Sequence, residues 1–139
     1  MITHFSFSHT PITAEIAREH IRSASTGAEV CFVGTVRPSH EAHSVVQLEF
    51  EAYEPMALKE LEGIAQRCRS SWPVEEIVLV HRLGIVPARE IAVVLWVLAS
   101  HRKEAFLASA YFMDELKRCV PIWKKEVYSD GSAWVSSTP

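Results

Sequence analysis

The 139-residue sequence has few of the residues that hold metals or form disulfides. Its three cysteines, Cys31, Cys68 and Cys119, are odd in number and far apart, without a CxxC pair or a Cys/His cluster of metal-site spacing. We expect them to be buried, reduced thiols. The seven histidines are scattered as well. No motif for a flavin, a nucleotide or a metal is found, so we expect neither a metal site nor a permanently bound cofactor.

The sequence also lacks an excess of positive charge and any long apolar run. Its net charge is -3, which excludes the basic field of nonspecific nucleic-acid binders, so an anion site must be a local cluster. The apolar run 91–99 is far shorter than the ~20 residues that span a bilayer. The first residues lack the basic start and apolar block of a signal peptide. We therefore expect a soluble, cytoplasmic protein without a nucleic-acid or membrane partner.

The residues that are present suffice for one folded core. A chain that is 48% hydrophobic and 22% charged is long enough for one domain and too short for two, so we predict a single domain over residues 1–139. The pattern of apolar residues predicts secondary structure in the order α, β, β, α, β, β, α, β, β. The predicted helices cover residues 13–23, 55–71 and 101–119, and the predicted strands cover residues 30–36, 45–53, 74–82, 91–100, 122–128 and 132–135. This order indicates an α+β sandwich.

Local signals set several of these boundaries. Thr13 and Ser100 are suitable N-caps for the first and third helices. Pro121 ends the third helix, and Asp130 followed by glycine is typical of a β-hairpin turn. The polar segment 38–44, which contains two histidines, is predicted to be a flexible loop, and the segment between strands 74–82 and 91–100 is predicted to be a link.

Positively charged residues occur next to backbone features that suit an anion. Arg37 follows a strand that contains a glycine, His101 and Arg102 stand at a helix start, and Lys117 lies in the last turn of that helix, shortly before Lys124. Ordinary structural roles are open for each: a charge at a strand end, a helix cap, and a cation near a helix C-terminus. Two further residues, Met113 and Trp123, are expected to pack in the core or in an interface.

The spacing of these cations limits how they can meet. Arg102 and Lys117 are fifteen helical steps apart, which is about 22 Å along the axis at ~1.5 Å per residue. One chain cannot place both on one small ligand, so a shared site requires a second copy, as in a symmetric dimer. Lys124 and Lys125 are adjacent on a strand and therefore point to opposite faces. Only one of them is expected to share a pocket with Lys117.

Six segments, in order and spacing, resemble the MoaE family of molybdopterin synthase large subunits: VGTVRPS, LEFEAYEPMA, VHRLGIVPAREIAVV, ASHRKEAF, YFMDELKRCVPIWKKE and DGSAW. The resemblance implies an α/β hammerhead-type fold with an additional antiparallel sheet. It also implies a homodimer of large subunits inside a heterotetramer with small, ubiquitin-like MoaD-type subunits. In that family, sulfur passes from the thiocarboxylated C-terminus of the small subunit to cyclic pyranopterin monophosphate (precursor Z), which forms the dithiolene of molybdopterin.

The resemblance also implies which residues form the site. Lys117 and Lys124 match the family's catalytic lysines, and His101 and Arg102 are expected from the other subunit. The residues implied to bind substrate are Thr35, Val36, Arg37, His101, Arg102, Lys117, Lys124, Lys125 and Glu126. The sequence departs from the family at Arg89, where a glycine is usual, and in segment 38–44, which lacks a glycine.

Two other functions are compatible with the predicted fold and its cluster of positively charged residues. A noncatalytic module could use the same fold to bind a ubiquitin-like tail, but the retained lysines argue against it. An enzyme that cleaves simple phosphate esters is supported only by the cation cluster. We therefore favour a sulfurtransferase of molybdenum cofactor biosynthesis, in which the partner carries the reactive sulfur.

Overall fold

The computed structural model describes residues 1–136, so the predicted domain end at residue 139 lies outside it. Its strands are β1 (Ile2–Ser8), β2 (Ala28–Thr35), β3 (Ser39–His40), β4 (His43–Ala52), β5 (Val74–Arg82), β6 (Gly84–Pro87), β7 (Ile91–Ala99), β8 (Ile122–Tyr128) and β9 (Ala133–Ser136). Its helices are α1 (Ala14–Arg18), α2 (Glu54–Ser71) and α3 (Arg102–Cys119). The predicted α+β class with an additional antiparallel sheet is confirmed.

The first sheet forms the hydrophobic core. Its strand order is β1-β5-β7-β2, with β1 parallel to β5 and the other pairs antiparallel. The strand β7 lies inside the sheet, as its apolar sequence indicates. Helices α2 and α3 cover one face, where Leu61, Phe112 and Leu95 are fully buried. The short helix α1 covers the other face, where Ala17 packs with Val94.

The second sheet is smaller and carries the cation cluster. Its strand order is β3-β4-β8-β9, and β6 also pairs with β4. Three of its features correct the sequence prediction: β3 lies in the segment expected to be a flexible loop, β6 lies in the expected link, and β9 is shifted by one residue. The first sheet adds a fourth correction, because β1 was not predicted at all.

The first helix is shorter than predicted because a buried carboxylate binds the backbone beyond it. Thr13 caps α1 as expected, and its Oγ1 accepts a hydrogen bond from the Ile16 amide. The helix nevertheless ends at Arg18 rather than at residue 23. Glu76, fully buried on β5, accepts hydrogen bonds from the amides of Arg22 at 2.9 Å and Ser23 at 2.7 Å. These amides are therefore not available to continue the helix.

Two tight turns hold non-glycine residues in a left-handed conformation. Glu41 and Ala42, with φ of 48° and 67°, form the turn between β3 and β4, and Arg89 has a φ of 75°. Such conformations favour glycine, since a Cβ there costs roughly 1–2 kcal/mol. These turns are the two places where a glycine is expected from the family resemblance.

Two smaller predictions are also corrected. His101, rather than Ser100, occupies the N-cap of α3, and its side chain makes no capping hydrogen bond. All three cysteines are free thiols, but only Cys68 is buried, because Cys31 and Cys119 lie at half-buried positions at the edge of the packing.

Candidate active site

A cavity of about 480 Å³ opens where the end of α3 meets strands β2, β4 and β8. Of the residues implied by the family resemblance, six line it: Thr35, Val36, Arg37, Lys117, Lys124 and Glu126. The structure thus brings together residues that are up to 91 positions apart in the chain, from Thr35 to Glu126. Met113, expected to pack in the core or an interface, also lines this cavity while packing against the core.

A bulge in β2 places Arg37 at the cavity. The register with β7 shifts between Gly34 and Thr35, and a Cβ on Gly34 would lie only 2.7 Å from a methyl of Val93. Beyond the bulge, the amide of the buried Val36 donates to the Glu90 carbonyl at 2.9 Å. The chain is therefore fixed just before Arg37, which is left exposed at the cavity.

The end of α3 and the start of β8 bring the two lysines together. Lys117 lies in the last turn of α3, directly after the buried Leu116. The helix ends before Pro121, and the chain returns as β8 with Ile122 buried. Lys124 lies on the same face of the strand as Ile122 and lines the cavity.

The ammonium group of Lys124 is disfavoured by its surroundings. Burial lowers its pKa below the ordinary value, and the nearby charges of Lys117 and Arg37 lower it further. The Glu126 carboxylate acts in the opposite direction and raises this pKa. Lys124 is therefore the amine in the cavity that gives up its proton more readily than an ordinary lysine, as a general base or nucleophile requires.

Glu126 is buried and held by two neighbours. His40 Nδ1 lies 3.0 Å from one carboxylate oxygen, and the Tyr128 hydroxyl donates to the other at 3.2 Å. The prediction of a flexible loop is therefore wrong at His40, because its contact with Glu126 holds this residue against β8. Sequence reasoning missed His40 as a cavity residue, since its partner Glu126 is 86 positions away.

His81 forms another part of the cavity wall that sequence reasoning missed. Its ring is fully buried against the edge of Phe50, and its Nδ1 donates to the Arg82 carbonyl at 2.8 Å. Burial lowers the pKa of His81 to about 4, so the ring is neutral near pH 7. A polar residue at the end of the apolar run 77–80 was the available signal.

Three of the residues implied by the resemblance lie elsewhere. His101 and Arg102 are exposed at the opposite end of the 18-residue α3. Lys125 is exposed on the other face of β8, where it pairs with Glu49 and Val135. Alternation along the strand thus separates Lys125 from Lys124, as the sequence indicated.

A second cavity of about 510 Å³ lies along α3 next to β2. Its lining includes Phe32, Phe106, Met113 and Lys117, so it adjoins the first cavity. The side chains of Phe32 and Phe106 are exposed, the latter by 62%. An apolar surface thus extends from the lysine cluster toward the start of α3.

Within residues 1–136, no group of three or more His, Cys, Asp or Glu side chains is arranged to hold a metal ion. In this same part of the chain, no helix has both the length and the apolar character needed to cross a membrane.

The family described as MoaE protein matches residues 7–119. The molybdopterin synthase catalytic subunit of Bacillus subtilis (strain 168) is 38% identical over 131 residues, which cover 94% of this chain and 83% of that protein. The crystal structure of molybdopterin synthase from Staphylococcus aureus is 37% identical, with a TM-score of 0.86 and 94% of each chain covered.

A complex of subunits 1 and 2 of molybdopterin-converting factor from Helicobacter pylori 26695 also has this fold. The match has a TM-score of 0.74 at 22% identity and covers 91% of this chain and 86% of that one. The family model matches most of the chain, and the Bacillus protein is similar over 94% of it. The chain belongs to the MoaE family.

Proposed function

We propose that this chain is the catalytic subunit of a molybdopterin synthase. In this proposal it transfers sulfur from the thiocarboxylated C-terminus of a small MoaD-type subunit to cyclic pyranopterin monophosphate (precursor Z). The observation that carries the proposal is the convergence of Arg37, Lys117 and Lys124 on one cavity that is large enough for a small molecule.

The charges of the cavity suit the substrate and the reaction. The guanidinium of Arg37 matches the geometry of phosphate oxygens and is always charged. The amine of Lys124, whose pKa is lowered by burial, is suited to proton transfer or nucleophilic attack. Lys117 is left to neutralise the thiocarboxylate and the oxyanion that develops during transfer.

The sulfur is proposed to arrive on the partner rather than on a resident cofactor. The thiocarboxylate sulfur bonds to a substrate carbon while a carbon–oxygen bond at that carbon breaks, and the leaving oxygen takes the electron pair and a proton. Water then cleaves the acyl-sulfur bond, so the sulfur stays on the substrate and the partner's tail ends as a carboxylate. The related Helicobacter structure contains two subunits of molybdopterin-converting factor, which supports a two-subunit assembly here. We further propose that the reaction takes place in the cytoplasm.

We also propose that a second copy of this chain completes the site. His101 and Arg102 are exposed and far from the cavity along α3, so they reach a lysine cluster only in another copy. The exposed apolar surface around Phe32 and Phe106 lies between the two ends and suits such an interface. Lys125 lies outside the cavity lining, so we assign it a peripheral role.

Reconstitution tests the proposed function. The purified protein, mixed with a thiocarboxylated small subunit and precursor Z, is expected to form molybdopterin, and Lys117→Ala is expected to abolish it. Lys59→Ala, an exposed lysine on α2, is the matched control and is expected to remain active. Full activity of Lys117→Ala would contradict the proposal. Binding of the small subunit's tail without turnover by the wild type would point to a noncatalytic module.

A further inference from the structure

Glu126 is the one carboxylate among the described residues that line the main cavity. Its two oxygens lie 3.0 and 3.2 Å from His40 Nδ1, and the Tyr128 hydroxyl lies 3.2 Å from one of them. Because an ionised carboxylate only accepts hydrogen bonds, both neighbours donate. His40 thus contacts both oxygens, whereas Tyr128 contacts one.

Lys124 lies two residues before Glu126 on the same face of β8, and both side chains line the main cavity. In the part of the chain that the structure describes, however, no ion pair within 4.0 Å joins Lys124 and Glu126. The carboxylate is turned toward His40 and Tyr128 instead. Since a carboxylate that contacts an ammonium stabilises the charged form, this orientation leaves the Lys124 amine easier to deprotonate.

The other charged and titratable groups around Lys124 do not replace this carboxylate. Two basic side chains face it, one from the end of α3 and one from the segment after β2, and both disfavour its ammonium form. Two histidines, from β3 and β5, complete the titratable lining. These groups are Lys117, Arg37, His40 and His81. The position of the Glu126 carboxylate therefore determines how strongly the ammonium form of Lys124 is stabilised.

We propose that His40 is a positioning residue that holds the Glu126 carboxylate away from Lys124 and so keeps the Lys124 amine free to react. The meaning of this arrangement for sulfur transfer rests on the proposed function. The arrangement itself involves only residues of this chain, so it is tested without substrate or partner. His40 directly precedes the left-handed turn at Glu41 and Ala42 and pairs with His43 across it.

The test is competitive acetylation with acetic anhydride over a series of pH values, with Lys124 labelling read by mass spectrometry. The full chain is compared with His40→Ala and with His40→Asn, whose amide N–H replaces the ring Nδ1–H. In His40→Ala the carboxylate keeps only the Tyr128 hydroxyl and is expected to turn toward Lys124, so labelling below the amine's pKa should fall about tenfold, the effect of an opposite charge brought to ~4 Å. His40→Asn is expected to label like the wild type. Lys59 serves as the internal reference, and urea unfolding checks that each variant is folded.

A double variant separates positioning from a general structural effect. Glu126→Gln added to His40→Ala removes the charge that pairs with Lys124, so labelling is expected to return. Unchanged labelling in His40→Ala, or an equal loss in the double variant, would overturn the inference. An inactive wild type that labels as expected would refute only the proposed function. An active wild type whose labelling does not respond to His40→Ala would refute only the inference.

Discussion

The two sheets of this protein share the alternation of side chains along their strands, but they differ in the side chains that this alternation turns inward. In the first sheet, β5 and β7 carry apolar residues such as Leu79 and Leu95 in register, and helices cover them. In the second sheet, the corresponding inward face of β8 carries Lys124 and Glu126. The first sheet thus supplies stability, and the second holds charged groups that are only partly covered. Substitutions in the two sheets should therefore affect different measurements.

The largest effect is expected in the second sheet, on activity. Lys124→Ala should lower kcat/KM for molybdopterin formation by about 10²–10⁴-fold, the usual contribution of a positioned proton-transfer group. Lys125→Ala, one residue on and on the opposite face, should lose far less. Steady-state kinetics with the reconstituted partner measure both. Equal losses would show that the two faces of β8 are not functionally distinct.

The next effect is expected in the packing on the first sheet, on stability. Leu61 and Leu58 lie on the same helix, but Leu61 is fully buried and Leu58 is 36% exposed. Leu61→Ala should lower the free energy of unfolding by roughly 2–5 kcal/mol, whereas Leu58→Ala should cost less than about 1 kcal/mol. Urea unfolding measures the pair. Similar losses at both positions would contradict the placement of the core.

His81 lies where the two regions meet, and its burial predicts a dependence of stability on pH. Its pKa is about 4 in the folded protein and 6.5 in the unfolded chain, so the unfolded chain binds the extra proton between these values. The contribution of the neutral His81 ring to the free energy of unfolding is therefore fully present above pH 6.5. It falls by about 3 kcal/mol as the pH drops toward 4. His81→Asn should flatten this part of the curve. An unchanged slope in the variant would show that His81 is not the titrating group.

The smallest effect is expected in the turn that supports the cavity. Arg89→Gly should raise the free energy of unfolding by about 1 kcal/mol, because glycine tolerates the left-handed backbone there. Arg69→Gly, in the last turn of α2, should lower it by about 1 kcal/mol instead. Thermal or urea unfolding distinguishes the two signs. Destabilisation by Arg89→Gly would show that the Arg89 side chain contributes more than its backbone strain costs.

Much of the fold follows from local sequence patterns. Strands β5 and β8 have the predicted bounds, and α2 ends before Trp72 as expected, because apolar periodicity and prolines are local signals. By contrast, β6 is four residues long and contains a proline, and β3 is a two-residue strand whose turn has no glycine. The pairing of β6 with β4 joins residues 34 to 40 positions apart, which short windows of sequence do not contain. Strand β3 pairs with β4 in a local hairpin, but the sequence carries no turn signal there.

The candidate site was predictable in part for the same reason. Strand alternation separates Lys124 from Lys125, and helix length separates Arg102 from Lys117, so both relations follow from residue spacing. The contact between His40 and Glu126 and the burial of His81 depend on chain segments that meet only in the folded protein. No spacing rule indicates them.

Substrate protection tests the central claim that one cavity with Lys117 and Lys124 binds the pyranopterin. Acetylation of each lysine is measured by mass spectrometry with and without precursor Z. We expect precursor Z to protect Lys117 and Lys124 and to leave labelling of Lys125 and Lys59 unchanged. Equal labelling of Lys117 and Lys124 with and without precursor Z, or protection of Lys125 in their place, would contradict the account.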